Sequence, residues 1–299
     1  MMFRHVLVPL DGSKLAEDVL GVVESLATHL GSKVTLLHVV ERAAPERVHG
    51  QSHLTDAAAG RAYLEGVASK LRDRGIDVST HVHERSVDDV AAAIDAHAHE
   101  YNVDLIAMCK HGRTGLRHRL AGSIAQQILQ GGSIPILLRS PRDTGSPAPF
   151  ELKQLLVPVD FEHDTDLVLE VAAEVARPYG ACIDLMTAIP SLAEDRRDNA
   201  VARLLPGATM IALQMAREDA MEELDRRAVQ LMQRGVQIQT RVREEDPATA
   251  ILREAEEIDA DVIVLATHAR AGLDAWYVGS TGDRVAAGGN HTLLLLREL

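Results

Sequence analysis

The chain has 299 residues, of which 46% are hydrophobic and 25% charged, so it can fold as two domains or one large one with a full core. Its net charge of −13 argues against nonspecific binding to nucleic acid or anionic membranes, and no apolar run approaches the length of a membrane span. Two cysteines, Cys109 and Cys182, are too few for a disulfide framework and fit a reducing compartment. The first residues lead directly into a strand-like run rather than a signal peptide, and we expect a cytoplasmic protein.

Strands and helices alternate along the first half of the chain. Short apolar runs predict strands at 6–10, 34–40, 78–82, 104–109 and 134–138. Helical spacing predicts helices at 15–30, ending at Gly31, and at 56–74, 87–100 and 123–130. This alternation indicates a parallel sheet with right-handed crossovers, in which ligands bind beyond the carboxyl ends of the strands.

The second half repeats the first. The run 6–11 recurs at 155–160, an offset of 149, and the run 104–107 recurs at 261–264, an offset of 157. We therefore predict an α/β protein of two tandem doubly wound, Rossmann-like domains, each a five-stranded parallel sheet flanked by helices. The domains are placed at 1–142 and 153–299, joined by a Pro-, Gly- and Ser-rich linker at 143–152. The apolar strands at 134–138 and 292–296 would be exposed sheet edges, so we expect them to pair antiparallel within the chain.

Two segments at the predicted strand ends carry the polar chemistry. Pro9 lies at the end of the first strand and Asp11 follows it, and Gly112 follows the fourth strand. Nine residues further on, Gly122 and Ser123 begin a helix. Glycines let backbone N–H groups approach a phosphate, and a helix N-terminus adds oriented donors and partial positive charge. The pattern favours a phosphate-bearing ligand.

These motifs resemble those of the universal stress protein family, whose nucleotide-binding pattern is G-x2-G-x9-G-[ST] after an apolar strand. The sequence matches the second and third glycines with Gly112 and Gly122, and has Cys109 at the first. The runs Val-Pro-Leu-Asp at 8–11 and Leu-His-Val at 37–39 also match the family. The resemblance covers nearly the whole chain twice, as in tandem members, and implies an adenine nucleotide alpha hydrolase-like fold.

The resemblance also implies roles for individual residues. Asp11 would contact adenine or ribose, Val39 would pack near the base, and Met108 would flank the nucleotide. Gly112, Gly122 and Ser123 would hold the phosphates of ATP, with or without Mg²⁺. The predicted nucleotide-binding set is completed by the sequence neighbours Pro9, Arg113 and Ile124.

The second repeat departs further from the pattern and is predicted to be the weaker site. Alanines stand at 266 and 269, while Asp160, Gly279 and Ser280 are kept. Between 109 and 123 the first repeat carries four basic residues and no acid, whereas the span 266–280 is neutral. Asp283 would compete with phosphate for the helix N-terminus. We expect nucleotide mainly in the first domain.

Simpler interpretations stand beside these. Asp11 can serve only as a turn residue, and the basic residues at 110–119, the basic loop, can be simply solvated. Gly112 and Gly122 can belong to a loop that binds no ligand. Cys109 is predicted to be a small buried residue. His81 and His83 share a strand face but form a bare pair, so no metal site is predicted, and His97 and His99 are predicted to lie on the surface.

The function that the sequence favours is regulatory. No dinucleotide-binding fingerprint, Walker motif or nucleophile elbow occurs, no catalytic residue is predicted, and at most weak ATP hydrolysis is expected. The prediction is an ATP-binding stress-response protein, homodimeric, with an unidentified protein partner and no nucleic-acid or membrane partner. Two alternatives remain open: a nucleotide-independent adaptor module, and a slow ATPase or phosphotransferase.

Overall fold

The structure is a computed structural model that describes residues 2–42, 47–48, 51–52, 54, 56–110, 124–141, 149–161, 165–189, 206–268 and 280–298. The chain forms two compact units. Unit 1 comprises Met1–Glu151 together with Ala266–Leu299, and unit 2 comprises Leu152–Leu265.

Unit 1 holds most of the first repeat. Its elements in chain order are β1 (His5–Pro9), α1 (Lys14–Glu17), α2 (Leu20–Leu30), β2 (Lys33–Glu41), β3 (Arg47–Val48), β4 (Gln51–Ser52), α3 (Ala57–Arg72), β5 (Val78–Val87), α4 (Val90–Glu100), β6 (Leu105–Cys109), α5 (Ile124–Gly131) and β7 (Ile136–Arg139). Five of these strands form the predicted parallel sheet in the order β7-β6-β1-β2-β5. The unpredicted β3 and β4 form a small antiparallel ribbon that is too short to give a sequence pattern.

Unit 2 follows the same plan. Its elements are β8 (Gln154–Pro158), α6 (Asp166–Tyr179), β9 (Cys182–Ile189), α7 (Pro206–Met232), β10 (Gln237–Glu244), α8 (Pro247–Glu257) and β11 (Val262–His268), whose strands run parallel in the order β10-β9-β8-β11. The duplication extends to single hydrogen bonds. Asp104 accepts from the backbone N–H of Arg4 at 2.8 Å, and Asp261 accepts from that of Lys153 at 2.7 Å.

The last two elements, α9 (Thr281–Gly288) and β12 (Thr292–Glu298), belong to unit 1. β12 pairs antiparallel with β7, and Leu294 lies opposite Leu137. The predicted pairing of the two apolar strands is confirmed. Both strands are buried there, so each covers an edge that would otherwise be open to association.

The predicted helix over 15–30 is wrong in one respect, because it is interrupted. α1 ends at Glu17 and α2 starts at Leu20. Gly31 ends α2 as predicted, and its φ is 68°. Asp18, at the interruption, turns its buried carboxylate toward Arg139 of β7, 3.4 Å away. Burial of this ion pair was not visible in the periodicity of the apolar residues.

Candidate functional site

The candidate site lies at the carboxyl ends of three neighbouring strands of unit 1. β1 lies between β6 and β2, and the chain runs outward from β1 through β2 to β5, then from β6 to β7 on the other side. The reversal falls between β1 and β6, which is where open α/β sheets form a crevice for ligands. Pro9 ends β1, and Met108 lies one residue before the end of β6.

The loop after β1 is held by its own hydrogen bonds. The N–H of Leu10 donates to the carbonyl of Leu37 at 2.8 Å, which continues the β1–β2 ladder by one residue. One carboxylate oxygen of Asp11 accepts from the N–H of Ser13 at 2.8 Å, so Asp11 does form a turn. The hydroxyl of Ser13 accepts from Ala16 N–H at 3.1 Å and caps α1. The turn and the cap fix where the half-buried Asp11 stands.

Gly12 is required within this turn. Its φ of 91° lies in the region that side chains rarely adopt, and a Cβ there would lie 2.7 Å from Leu54 Cγ. The turn therefore closes against Leu54. Sequence reasoning gave Gly12 no role, although an Asp-Gly-Ser run after a strand is a recognisable turn signal.

His38 also holds the loop after β1 in place. The sequence did not identify it as a site residue. Its ring is 1% exposed, and Nδ1 donates to the carbonyl of Leu10 at 2.8 Å. Gly60 of α3 leaves room for the ring, since a Cβ at Gly60 would lie 2.7 Å from His38 Cδ2. In unit 2 the hydroxyl of Thr187 donates to the equivalent carbonyl of Val159 at 2.9 Å. The contact thus recurs in both repeats with different chemistry.

Two apolar side chains of the predicted set lie near this loop, on the two strands that flank β1. Val39 of β2 and Met108 of β6 are both buried. The next residue, Cys109, is buried as predicted, and its thiol donates to the carbonyl of Ala16 at 3.7 Å. Burial raises the pKa of Cys109 to about 12, so the thiol stays protonated at neutral pH.

The prediction that Lys110 belongs to the basic loop is wrong. Its ammonium donates to the carbonyls of Ala286 at 2.9 Å and Gly289 at 2.6 Å, at the end of α9. Burial lowers the pKa of Lys110 to about 8. Lys110 therefore binds the C-terminal carbonyls of a helix, where cations are favoured, instead of joining Arg113 in the predicted loop.

The predicted phosphate-binding residues fall largely outside the described part of the chain. These are Gly112, Arg113, Gly122 and Ser123 of the first repeat and Gly279 of the second. Ile124 is described, and it begins α5. The predicted linker over 143–152 is described only from 149 onward.

The two remaining residues of the weaker second site lie in different units. Asp160 follows β8 in unit 2 and is exposed. Ser280 caps α9 in unit 1, where its hydroxyl accepts from the N–H of Asp283 at 3.2 Å. Asp283 lies in the first turn of that helix, as predicted, and it is buried there.

A group of aromatic side chains joins β5 to α4, away from the strand ends. His97 is not a surface residue as predicted: its Nε2 lies 2.9 Å from His83 Nδ1, and its ring centroid lies 4.6 Å from that of His81. Tyr101 stacks on His97 at 5.6 Å, whereas His99 is exposed as predicted. Burial and the neighbouring His97 lower the pKa of His81. Among the described residues, no group of three ligating side chains is arranged to hold a metal ion.

The fold and the strand-end site define a duplicated α/β protein with a parallel sheet and flanking helices. The family model of the universal stress protein family matches residues 2–138 and again 151–297. The chain belongs to the universal stress protein family and carries two tandem copies of its domain. Within the described residues, no helix is long and apolar enough to cross a membrane.

Individual relatives correspond to the whole chain or to one copy. A universal stress protein of Archaeoglobus fulgidus has a similar structure over 99% of both chains, with a TM-score of 0.69 and 19% identity. Universal stress protein YxiE of Bacillus subtilis is 26% identical over 46% of this chain and 99% of its own length. A universal stress protein solved in complex with cAMP is 17% identical, covers 48% of this chain and all of its own, and has a TM-score of 0.37.

Proposed function

We propose that the first domain binds ATP or a related adenine nucleotide at the carboxyl ends of β1, β2 and β6. The observation that carries this proposal is the reversal of strand order between β1 and β6, with Asp11 held in a fixed turn beside it. Membership of the universal stress protein family also supports it, because the resemblance to the family's nucleotide-binding pattern implies such a site.

Each residue of the proposed site has a distinct role. The Asp11 carboxylate accepts hydrogen bonds from ribose hydroxyls or the adenine amine, and Val39 and Met108 supply apolar contact to the base. The phosphates of the nucleotide contact Gly112, Arg113, Gly122, Ser123 and Ile124, with or without Mg²⁺. His38 acts through the Leu10 carbonyl and keeps Asp11 in position.

We further propose that the two repeats differ in affinity. Asp11 is half-buried and held by a supported turn, whereas Asp160 is exposed. At α9 the carboxylate of Asp283 already occupies the favourable potential of the helix N-terminus. Each such charge contributes only about 0.3–1 kcal/mol, but several together separate the sites by about tenfold or more.

Calorimetric titration with limiting ATP tests this asymmetry. We expect one nucleotide per chain, strongly weakened binding for Asp11→Ala and nearly unchanged binding for Asp160→Ala. Gly122→Val should abolish binding while the circular dichroism spectrum is kept, because the glycine lets the backbone approach phosphate. Tighter binding that depends on Asp160 would show that the electrostatic argument is wrong.

The output proposed for this site is regulatory: nucleotide occupancy in the cytoplasm changes a surface that a protein partner recognises during stress. Mass spectrometry of the undenatured protein should find co-purified adenine nucleotide. If neither co-purified nor added nucleotide binds, a nucleotide-independent adaptor is the better description. Turnover of labelled ATP well above that of Asp11→Ala would instead favour a slow ATPase.

A further inference from the structure

Three imidazole rings meet where β5 packs against α4 in unit 1, and the hydrogen bonds of two of them fix where the protons lie. An ionised carboxylate only accepts, so the N–H at His97 Nδ1 donates to Glu100 Oε2 at 2.9 Å. The other nitrogen of a neutral His97, Nε2, is then an acceptor, and His83 Nδ1 donates to it at 2.9 Å. We refer to His81, His83 and His97 as the imidazole cluster.

A further proton does not fit this arrangement. On His97 Nε2 it would leave two N–H donors facing each other across 2.9 Å, and the hydrogen bond to His83 would be lost. On His83 Nε2 it would create a buried donor without an acceptor, since this atom has no hydrogen-bond partner among the described residues. The folded junction therefore accommodates the rings in their neutral form.

The charges around the imidazole cluster do not compensate for added protons. Glu100 contacts the cluster, whereas Glu84 of β5 is already paired with Arg61 of α3. Burial and the nearby His97 outweigh the attraction of both carboxylates, so the pKa of His81 is lowered. The remaining titratable or charged groups on the elements that surround the cluster are His5 of β1, Arg85 of β5, and Asp95, His99 and Tyr101 of α4.

Unit 2 builds the same junction from permanent charges. Strand register makes Arg241 and Arg243 of β10 the counterparts of the two strand histidines. The counterpart of His97 is Glu254, because both lie three residues before the end of their helices. Glu254 is fully buried, and its carboxylate pairs with Arg241 at 2.9 Å and with Arg243. The fold can therefore hold this helix against this strand without any imidazole.

We propose that the imidazole cluster is an acid-sensitive switch that holds α4 against β5 at neutral pH and releases α4 when it is protonated, while the α8–β10 junction of unit 2 stays closed. A free imidazole takes up a proton at about pH 6.5, so the opened junction binds protons that the closed one excludes. The stabilisation is present above that pH and is lost below it. Free carboxyl groups protonate only at about pH 4, so the ion pairs of unit 2 keep their charges.

Hydrogen exchange of the wild-type chain tests the proposal. Exchange is followed by mass spectrometry at pH 7 and pH 5 and corrected for the intrinsic rate at each pH. Protection of α4 should fall about tenfold or more at pH 5, whereas protection of α8 should change by less than about twofold. Equal protection of α4 at both pH values, or an equal loss in α4 and α8, would overturn the proposal.

A pair of substitutions copies the charges of unit 2 into unit 1. The double variant His83→Arg with His97→Glu places a guanidinium and a carboxylate at the junction, and its α4 should keep its protection at pH 5. His99→Gln, on the exposed side of α4, is the matched control and should lose protection as the wild type does.

His83→Gln decides the question if the double variant does not fold. The glutamine amide can still donate to His97 Nε2, while one ring that takes up a proton is removed. The loss of protection at pH 5 should therefore be smaller than in the wild type. A loss as large as that of the wild type would show that the cluster does not control the opening of α4.

Discussion

At the scale of single residues, two glycines decide how closely side chains approach the loop after β1. Gly12 takes a left-handed backbone conformation and lies against Leu54, while Gly60 lets the His38 ring reach the Leu10 carbonyl. Neither contact involves a ligand directly. Both fix the position of Asp11, so substitutions there should change binding without removing a binding group.

Gly60→Ala should destabilise the protein and weaken nucleotide binding. The added Cβ would lie 2.7 Å from His38, and overpacking of this kind costs about 1–3 kcal/mol. The control is Gly66→Ala on the same helix, where nothing lies within 4 Å of the new Cβ and helix propensity should add about 0.5–1 kcal/mol. Urea unfolding of both variants measures the difference. Equal stabilities would mean that the His38 contact does not constrain the loop.

The sequence predicted Asp11, Val39 and Met108 from family motifs, and predicted burial of Cys109 from its position after a strand. It could not predict His38, because the hydrogen bond to Leu10 spans 28 residues and depends on the space at Gly60. Lys110 was misassigned for a related reason. Its acceptors are 176 and 179 residues away, so its sequence neighbours give no sign of them.

At the scale of secondary-structure elements, periodicity predicted every strand of the first sheet but not the break between α1 and α2. The break places Asp18 against Arg139 in the core, and the guanidinium also donates to Thr292 at 2.6 Å. The spacing of apolar residues cannot reveal a buried ion pair, because only hydrophobic positions contribute to that pattern.

Asp18→Asn should therefore be costly, because it leaves a buried guanidinium without its carboxylate. Loss of one partner of a buried pair destabilises by about 3–5 kcal/mol, whereas replacing both partners with apolar side chains is close to neutral. The double variant Asp18→Leu with Arg139→Met should thus unfold at a higher denaturant concentration than Asp18→Asn alone. The reverse order would show that the pair contributes net stability.

The junction between β5 and α4 should make stability depend on pH. Burial together with the neighbouring His97 lowers the pKa of His81 at this junction, and burial also lowers the pKa of His5 in β1. His83, Glu100 and Glu84 also act on His81. The unfolded chain then binds protons more readily than the folded one, so the free energy of unfolding is retained above about pH 6.5 and falls below it.

The free energy of unfolding, measured from pH 7 to pH 5, should fall less steeply for His81→Gln than for the wild type. His99→Gln, on the exposed side of α4, should follow the wild-type curve. If both variants have the same slope, protonation at the junction is not what destabilises the protein.

At the scale of the whole molecule, charge is divided unevenly between the halves of the sequence. Residues 1–150 hold 16 Lys and Arg against 17 Asp and Glu, whereas residues 151–299 hold 15 against 27. The acidic half repels a triphosphate at long range, so electrostatics favour nucleotide in the first half. With Lys110 bound to carbonyls, the cations left in the predicted loop are Arg113, Arg117 and Arg119.

Raised salt should weaken the binding of ATP more than that of adenosine, because only ATP engages those arginines and ions screen such contacts. Titrations at low and high sodium chloride with both ligands measure the two slopes. Equal slopes would indicate that the loop does not contact the phosphates.

The assignment of α9 and β12 to unit 1 has a consequence for biosynthesis. Unit 2 is one continuous stretch, Leu152–Leu265, whereas unit 1 is completed by a segment that is synthesised after unit 2. Until then β7 has an unpaired edge, and Lys110 and Arg139 lack acceptors from that segment. We expect the later-encoded unit to mature first. A chain truncated after residue 268 should show protease resistance in unit 2 and cleavage around β7, whereas a chain that includes α9 and β12 should resist in both units.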